Sequence, residues 1–149
     1  MKVFIIDDDP ITLTLLAFML NEEGIETKYA LSPLIKDFYK EVITFNPDVI
    51  VLDLYLAEED GFSVASKLRQ HKELHHTPIV AISGSHNLND KLQAYSSGFI
   101  DYLEKPFTKD EILNAVRSYG YAHEILRLCN KILNKESVDD YLSGKFNKK

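Results

Sequence analysis

Cysteine is nearly missing from this 149-residue chain, which has one, Cys129. An internal disulfide is therefore excluded, and a reducing compartment is the simpler expectation. Long apolar runs are missing too: none approaches the roughly 20 residues that span a bilayer. No secretory signal is read at the start, because Asp7, Asp8 and Asp9 arrive before any apolar stretch of sufficient length. These absences predict a cytoplasmic protein without membrane contact. A positive charge excess is also lacking. The formal net charge is -6, which argues against the phosphate backbone of nucleic acid as a partner. The acidic excess belongs to residues 1–119, since residues 120–149 carry six Lys/Arg against four Asp/Glu. There is no internal repeat and no low-complexity segment. What is present, 45% hydrophobic and 27% charged residues, reads as one soluble domain with room for a real core.

Four short apolar runs stand out: "VFII" (3–6), "VIVL" (49–52), "PIVAI" (78–82) and "FIDYL" (99–103). The first three are almost continuous in Val, Ile and Leu, the pattern of strands buried on both faces of a parallel sheet. "IETKYA" (25–30) alternates and suits an edge strand. Helical patterns lie between the runs. Asp9-Pro10 is an N-cap followed by proline, with Leu13, Leu16 and Leu20 on one face and Gly24 as a stop. Ser32-Pro33 repeats that start signal ahead of Leu34, Phe38, Val42 and Phe45. A shorter helix follows Gly61, another runs from about Asn87 to Gly98, and Thr108 with Glu111 forms a capping box for a fifth. Strand and helix alternate five times. This predicts a doubly wound α/β fold with a five-stranded parallel sheet in the flavodoxin-like order 2-1-3-4-5.

Polar residues gather at the carboxyl ends of these strands. Asp7, Asp8 and Asp9 follow the first, Asp53 the third, Ser83 the fourth and Lys105 the fifth. Open α/β sheets bind ligands outside the carboxyl ends, where the strand order reverses, here between strands 1 and 3. Asp9 is assigned to the helix cap. Asp7 and Asp8 need another partner. Oxygen ligands without nearby Cys or His suit Mg²⁺ or a similar cation, with Lys105 neutralising remaining charge. A purely local Asp–Lys salt-bridge network is the alternative.

The blocks "FIIDDDP", "VIVLDLYLAEEDG", "AISGS" and "SSGFIDYLEKPF" together resemble the signature blocks of response-regulator receiver domains, over about residues 1–119. The resemblance implies a phosphorylation-activated switch of a two-component or phosphorelay system. It is then a phosphoacceptor signalling protein, not an enzyme, that assists its own phosphorylation and dephosphorylation. Asp53 would be the phosphoacceptor and Asp8 the direct Mg²⁺ ligand, with Asp7 acting largely through water and Tyr55 contributing its backbone carbonyl. Lys105 and Ser83 would contact the phosphoryl group, Gly84 would leave space for it, and Tyr102 would be the switch aromatic. The Lys105–Pro106 bond would be cis. Tyr55 and Ser85 would border the path of attacking water and tune the signal's lifetime. The implied partners are a sensor histidine kinase or histidine phosphotransfer protein and a downstream protein. A metal-dependent phosphatase with an aspartyl intermediate is a competing class, but it would want an Asp-x-Asp nucleophile motif and a lid. A receiver-like module that never takes phosphate is a third, and would be expected to lack Asp53, an acidic ligand or Lys105.

The sequence departs from the family pattern after Asp53, where Ala57 stands in place of a frequent proline and Glu58 and Glu59 add negative charge. His71, His75 and His76 read as a solvated surface patch. Residues 120–149 form a C-terminal helical extension beyond the receiver pattern. Ile125, Leu128, Cys129 and Ile132 recur at helical spacing, and Ser137 is a candidate cap for a second short helix. The extension packs on its own domain, forms a homodimer or docks a partner, or is the stub of a longer output region.

Overall fold

The computed structural model describes residues 1–135. Five parallel strands, β1 (Lys2–Ile6), β2 (Glu26–Ala30), β3 (Val49–Asp53), β4 (Ile79–Ser83) and β5 (Asp101–Glu104), form one sheet in the order β2-β1-β3-β4-β5. Five helices connect and follow them: α1 (Pro10–Glu22), α2 (Phe38–Phe45), α3 (Gly61–Gln70), α4 (Leu88–Ser96) and α5 (Lys109–Lys135). The expected order is therefore the observed one. β3 and β4 are buried along their whole length, as continuous apolar runs require when helices cover both faces.

Side-chain alternation along the strands divides the core in two. Val3 and Ile5 pack with Leu13, Leu16 and Leu20 of α1 and with Ile112 and Val116 of α5. Phe4 and Ile6 face the other way, against Phe38 and Val42 of α2, Val64 and Leu68 of α3, and Ala94 of α4. The molecule is thus a three-layer sandwich, and the strand ends are left free of the layers.

Helix starts follow the capping rules, with one exception. The Asp9 side chain accepts from Ile11 N at 3.1 Å and from Thr12 Oγ1 at 2.7 Å. Asp60 and Asn87 cap α3 and α4 in the same way, and Thr108 Oγ1 accepts from Glu111 N at 3.1 Å. The exception is α2. It begins at Phe38, not at Ser32-Pro33, and Leu34 stays exposed. The Ser32 hydroxyl accepts from Leu34 N at 3.0 Å and donates to Glu58 at 2.5 Å. It is committed to a turn and to the neighbouring loop, so it does not cap a helix.

The boundary expected at 119/120 falls inside α5, which runs on without a break. Gly120 allows this. A Cβ there would lie 2.9 Å from the Met1 sulfur and from a methyl of Val49, so its lack of a side chain lets the helix pass close to the start of the sheet. The cap assigned to Ser137 lies outside the described residues. Within them, no helix is long and apolar enough to cross a membrane.

Candidate functional site

The carboxyl edge of the sheet brings the predicted residues to one end of the molecule. Asp7 and Asp8 follow β1, Asp53 ends β3, and Ser83 ends β4, with Gly84 and Ser85 just beyond. Tyr102 lies in β5, Lys105 follows it, and the Lys105–Pro106 peptide is cis. Gly61 makes the approach possible on the β3 side. A Cβ there would sit 2.5 Å from the Asp53 carbonyl oxygen, so only glycine lets α3 start so near the strand end.

Asp7, Asp8 and Asp53 each offer a carboxylate oxygen within 4.8 Å of the others. The Lys105 ammonium donates to Asp7 Oδ2 at 2.9 Å and to Asp53 Oδ2 at 3.1 Å. Three carboxylates around one ammonium leave an excess of two negative charges, and the donors are all hard oxygens. That set fits a divalent cation such as Mg²⁺. Asp9 is not part of it, since its carboxylate is spent on the α1 cap. Asp7 also accepts from Asp9 N at 2.9 Å, so the first turn of α1 holds the carboxylate in place.

Burial pushes the Asp53 carboxyl up to about 6. The negative charge of Asp7 works in the same direction, against the Tyr55 N–H bond and Lys105. Lys105 responds to the same cluster. Burial acts to lower its value, but Asp7 and Asp53 outweigh it and hold it raised.

Several contacts at this edge have no signal in the sequence. Ala57 N donates to Asp8 Oδ2 at 2.9 Å, a bond that proline at this position could not make. Asp90, on α4, joins the two residues expected to border the water path. It accepts from Tyr55 Oη at 2.5 Å and from Ser85 Oγ at 2.6 Å. The bond to Asp90 pushes the Tyr55 phenol up to about 12. Ser85 itself carries no carboxylate, yet the fold delivers one to it. Tyr102 is buried, and its hydroxyl donates to the Ser85 carbonyl at 2.8 Å. Ser83 is buried, with its Oγ accepting from Ser85 N at 3.0 Å. A Cβ at Gly84 would meet no atom within 4 Å, so the space beside Ser83 is open. The histidines at 71, 75 and 76 take no part, and His71 stacks on the Tyr39 ring.

The family model of the response regulator receiver domain matches residues 3–117. The chain belongs to this family. The receiver is 33% identical over 117 residues to the DNA-binding dual master transcriptional regulator RpaA of Synechocystis, a match covering 78% of the chain and 48% of that regulator. It thus spans about half the length of that relative. Among solved structures, it resembles the receiver domain of Francisella response regulator 1452, with a TM-score of 0.66 and 31% identity over 79% of the receiver and 94% of that chain. The receiver domain of the sensor histidine kinase PA1611 from Pseudomonas aeruginosa shares the fold, with a TM-score of 0.70 and 22% identity over 79% and 95% of the two chains. That structure has a magnesium ion coordinated in its active-site cleft.

Proposed function

We propose that this receiver is a switch controlled by phosphorylation, in which Asp53 takes a phosphoryl group from a histidine of a partner protein. Lys105 carries the reading: one ammonium is shared between Asp53 and the Asp7 side of an acidic cluster, at 3.1 Å and 2.9 Å. A carboxylate oxygen of Asp53 forms the new bond to phosphorus while the bond from phosphorus to the donor imidazole nitrogen breaks, its electron pair returning to that nitrogen. Such transfer depends on alignment and on relief of oxygen charge more than on covalent assistance. Lys105 supplies one positive charge and the Ser83 hydroxyl one hydrogen bond. Asp7, Asp8, Asp53 and the Tyr55 carbonyl would hold Mg²⁺, as an ion is held in the clefted kinase receiver. When bound, it would neutralise phosphoryl oxygens.

The donor would be a sensor histidine kinase or a histidine phosphotransfer protein. Its docking stripe is set beside the acids, where Ile11, Leu15 and Phe18 of α1 are exposed next to one another around one shallow apolar hollow. On the output side, Tyr102 is already buried and bonded to Ser85. We therefore couple phosphorylation to the Ser85–Tyr102 and Ser85–Asp90 bonds, not to an inward swing of the ring. Movement of Ser83 toward the phosphoryl group would pull on Ser85 N and shift the α4–β5–α5 surface, where a downstream protein reads the state. The relative that binds DNA is about twice as long; for this chain we assign protein contacts.

We keep residues 1–119 as the switch and 120–149 as an extension with its own task, homodimerisation. Tyr121, Ile125, Leu128 and Ile132 follow one another at spacings of four, three and four, and all are exposed. That is a heptad spacing with isoleucine at a and Tyr121 and Leu128 at d, the pattern of a helix-pairing seam.

Incubation with acetyl phosphate should raise the intact mass by one phosphate when Mg²⁺ is present and not when it is chelated. Asp53→Asn should abolish the gain. Persistent labelling of that variant would sink the assignment.

A further inference from the structure

We propose that the opposite end of the receiver holds a second site, a basic cleft that binds a compact oligoanion carrying a short phosphate chain. The α5 extension creates it. Where the helix crosses the N-terminal ends of β1 and β3, it encloses a cavity of about 660 Å³ together with the 3₁₀ turn Lys72–Leu74. Lys2, Lys72, His76, His123, Arg127 and Lys131 line it, and Glu73 is the one acid among the lining residues. The four Lys and Arg side chains among them, in a chain of net charge -6, focus positive potential into a concave space.

One wall is fixed in advance. Asp48, fully buried, accepts from Arg127 Nε at 2.9 Å, Arg127 Nη2 at 3.2 Å, His123 Nδ1 at 3.2 Å and Lys2 N at 2.8 Å. This holds the guanidinium at the cleft floor and leaves Arg127 Nη1 without a protein partner among the described residues. Lys72 and Lys131 line the cleft from different elements, the 3₁₀ turn and α5, and make no ion pair among the described residues. Lys2 Nζ makes a long 3.7 Å contact to Glu26 and donates to the Phe45 carbonyl at 3.3 Å, its remaining protons unpaired among the described residues. Asn46 and Asn130 add neutral donors. Strongly hydrated lysines and a planar guanidinium suit phosphate oxygens. The acidic body around the cleft disfavours an extended polyanion, so the ligand is compact. The site stands apart from the acidic edge by the length of a five-residue strand, about 15 Å, and does not depend on the phosphorylation reading.

An occupant would bridge the extension to β1 and the 3₁₀ turn. The test is a titration of the full chain with inorganic tripolyphosphate in EDTA, without Mg²⁺, followed by calorimetry and amide NMR. The expected result is saturable binding with shifts at Lys2, Lys72, His76 and Lys131. The exposed pair Lys72→Glu, Lys131→Glu should lose at least tenfold in affinity, and Asp53→Asn should lose nothing. A nucleoside triphosphate arm separates the sources. Equal affinity assigns recognition to the phosphate chain alone. Tighter binding assigns the base to the adjoining apolar hollow at Ile100, Tyr119 and Leu126. No binding at millimolar ligand, shifts centred on Lys105, or unchanged affinity in the double variant would overturn the proposal.

Discussion

An Asp53 carboxyl that titrates near 6 in the fold and near 3.8 outside it opposes folding at neutral pH. The native state holds this proton more tightly than the unfolded chain does. The cost is therefore absent below about pH 4, grows through the interval up to 6, and is complete above it. Without metal at pH 7.5, Asp53→Asn should stabilise the protein by on the order of 2 kcal/mol, or roughly 5 °C in melting temperature. The gain should vanish at pH 4. A destabilised variant at pH 7.5 would contradict this electrostatic account. Next to it, Ala57 N competes for Asp8. Ala57→Pro removes the donor, and the apparent Mg²⁺ affinity should rise about fivefold, as expected for one net hydrogen bond of about 1 kcal/mol. Amide NMR during a Mg²⁺ titration reads this directly, and an unchanged midpoint would show that the bond does not compete. The Tyr55 phenol is tied to Asp90, and we propose that it shields the phosphoryl group and does not act as a base. Tyr55→Asn should speed phosphate release about tenfold after donor removal, a change of about 1.4 kcal/mol at the transition state. Equal or slower release would place control of the lifetime elsewhere. Asp7 and Asp53 were legible because each ends an apolar run, and Lys105 because it follows the fifth strand. Asp90 and the Ala57 amide were not, because tertiary folding alone brings them to the edge.

At the scale of the element, α5 is the unusual one. Its extension turns a polar face to the body, through His123, Arg127 and the Glu124–Met1 ammonium pair at 2.8 Å. The apolar stripe faces outward. A helical pattern in the sequence shows that a stripe exists but not which side the domain will take. Here a buried acid decides, and its partners lie far along the chain. Burial pushes the Asp48 carboxyl up, but bonds from His123, Arg127 and Lys2 N outweigh it and hold it at about 2. This anchorage is complete above the unfolded value of 3.8 and is lost as pH falls through 2. Arg127→Ala should cost about 1–3 kcal/mol, since it strips a buried carboxylate of its main cation. Hydrogen exchange of residues 121–133 should rise most, and protection equal to the parent would show that the anchor lies elsewhere. The outward stripe predicts association. Light scattering should give a dimer that dissociates on dilution, and the Ile125→Asp, Ile132→Asp variant should be monomeric. A monomeric parent at high concentration would remove the seam. The α2 start illustrates the same limit. Ser32-Pro33 is a sound local signal, yet the hydroxyl went to the loop of Glu58.

For the molecule as a whole, the parallel sheet separates two chemistries. Its carboxyl edge gathers acids around one lysine, and its other edge gathers cations around one buried acid. The first was readable because strand order and residue type point to the same place without sharing an input. The second depends on the path of a helix beyond the family pattern. We propose that the acidic edge directs a phosphoryl group onto Asp53. Borohydride reduction of an acyl phosphate leaves homoserine in place of aspartate, so peptide mapping after acetyl phosphate treatment identifies the modified residue. Homoserine is expected at position 53 alone, and only when Mg²⁺ is supplied. Modification at Asp7, Asp8 or Asp90, or none at all, would contradict it.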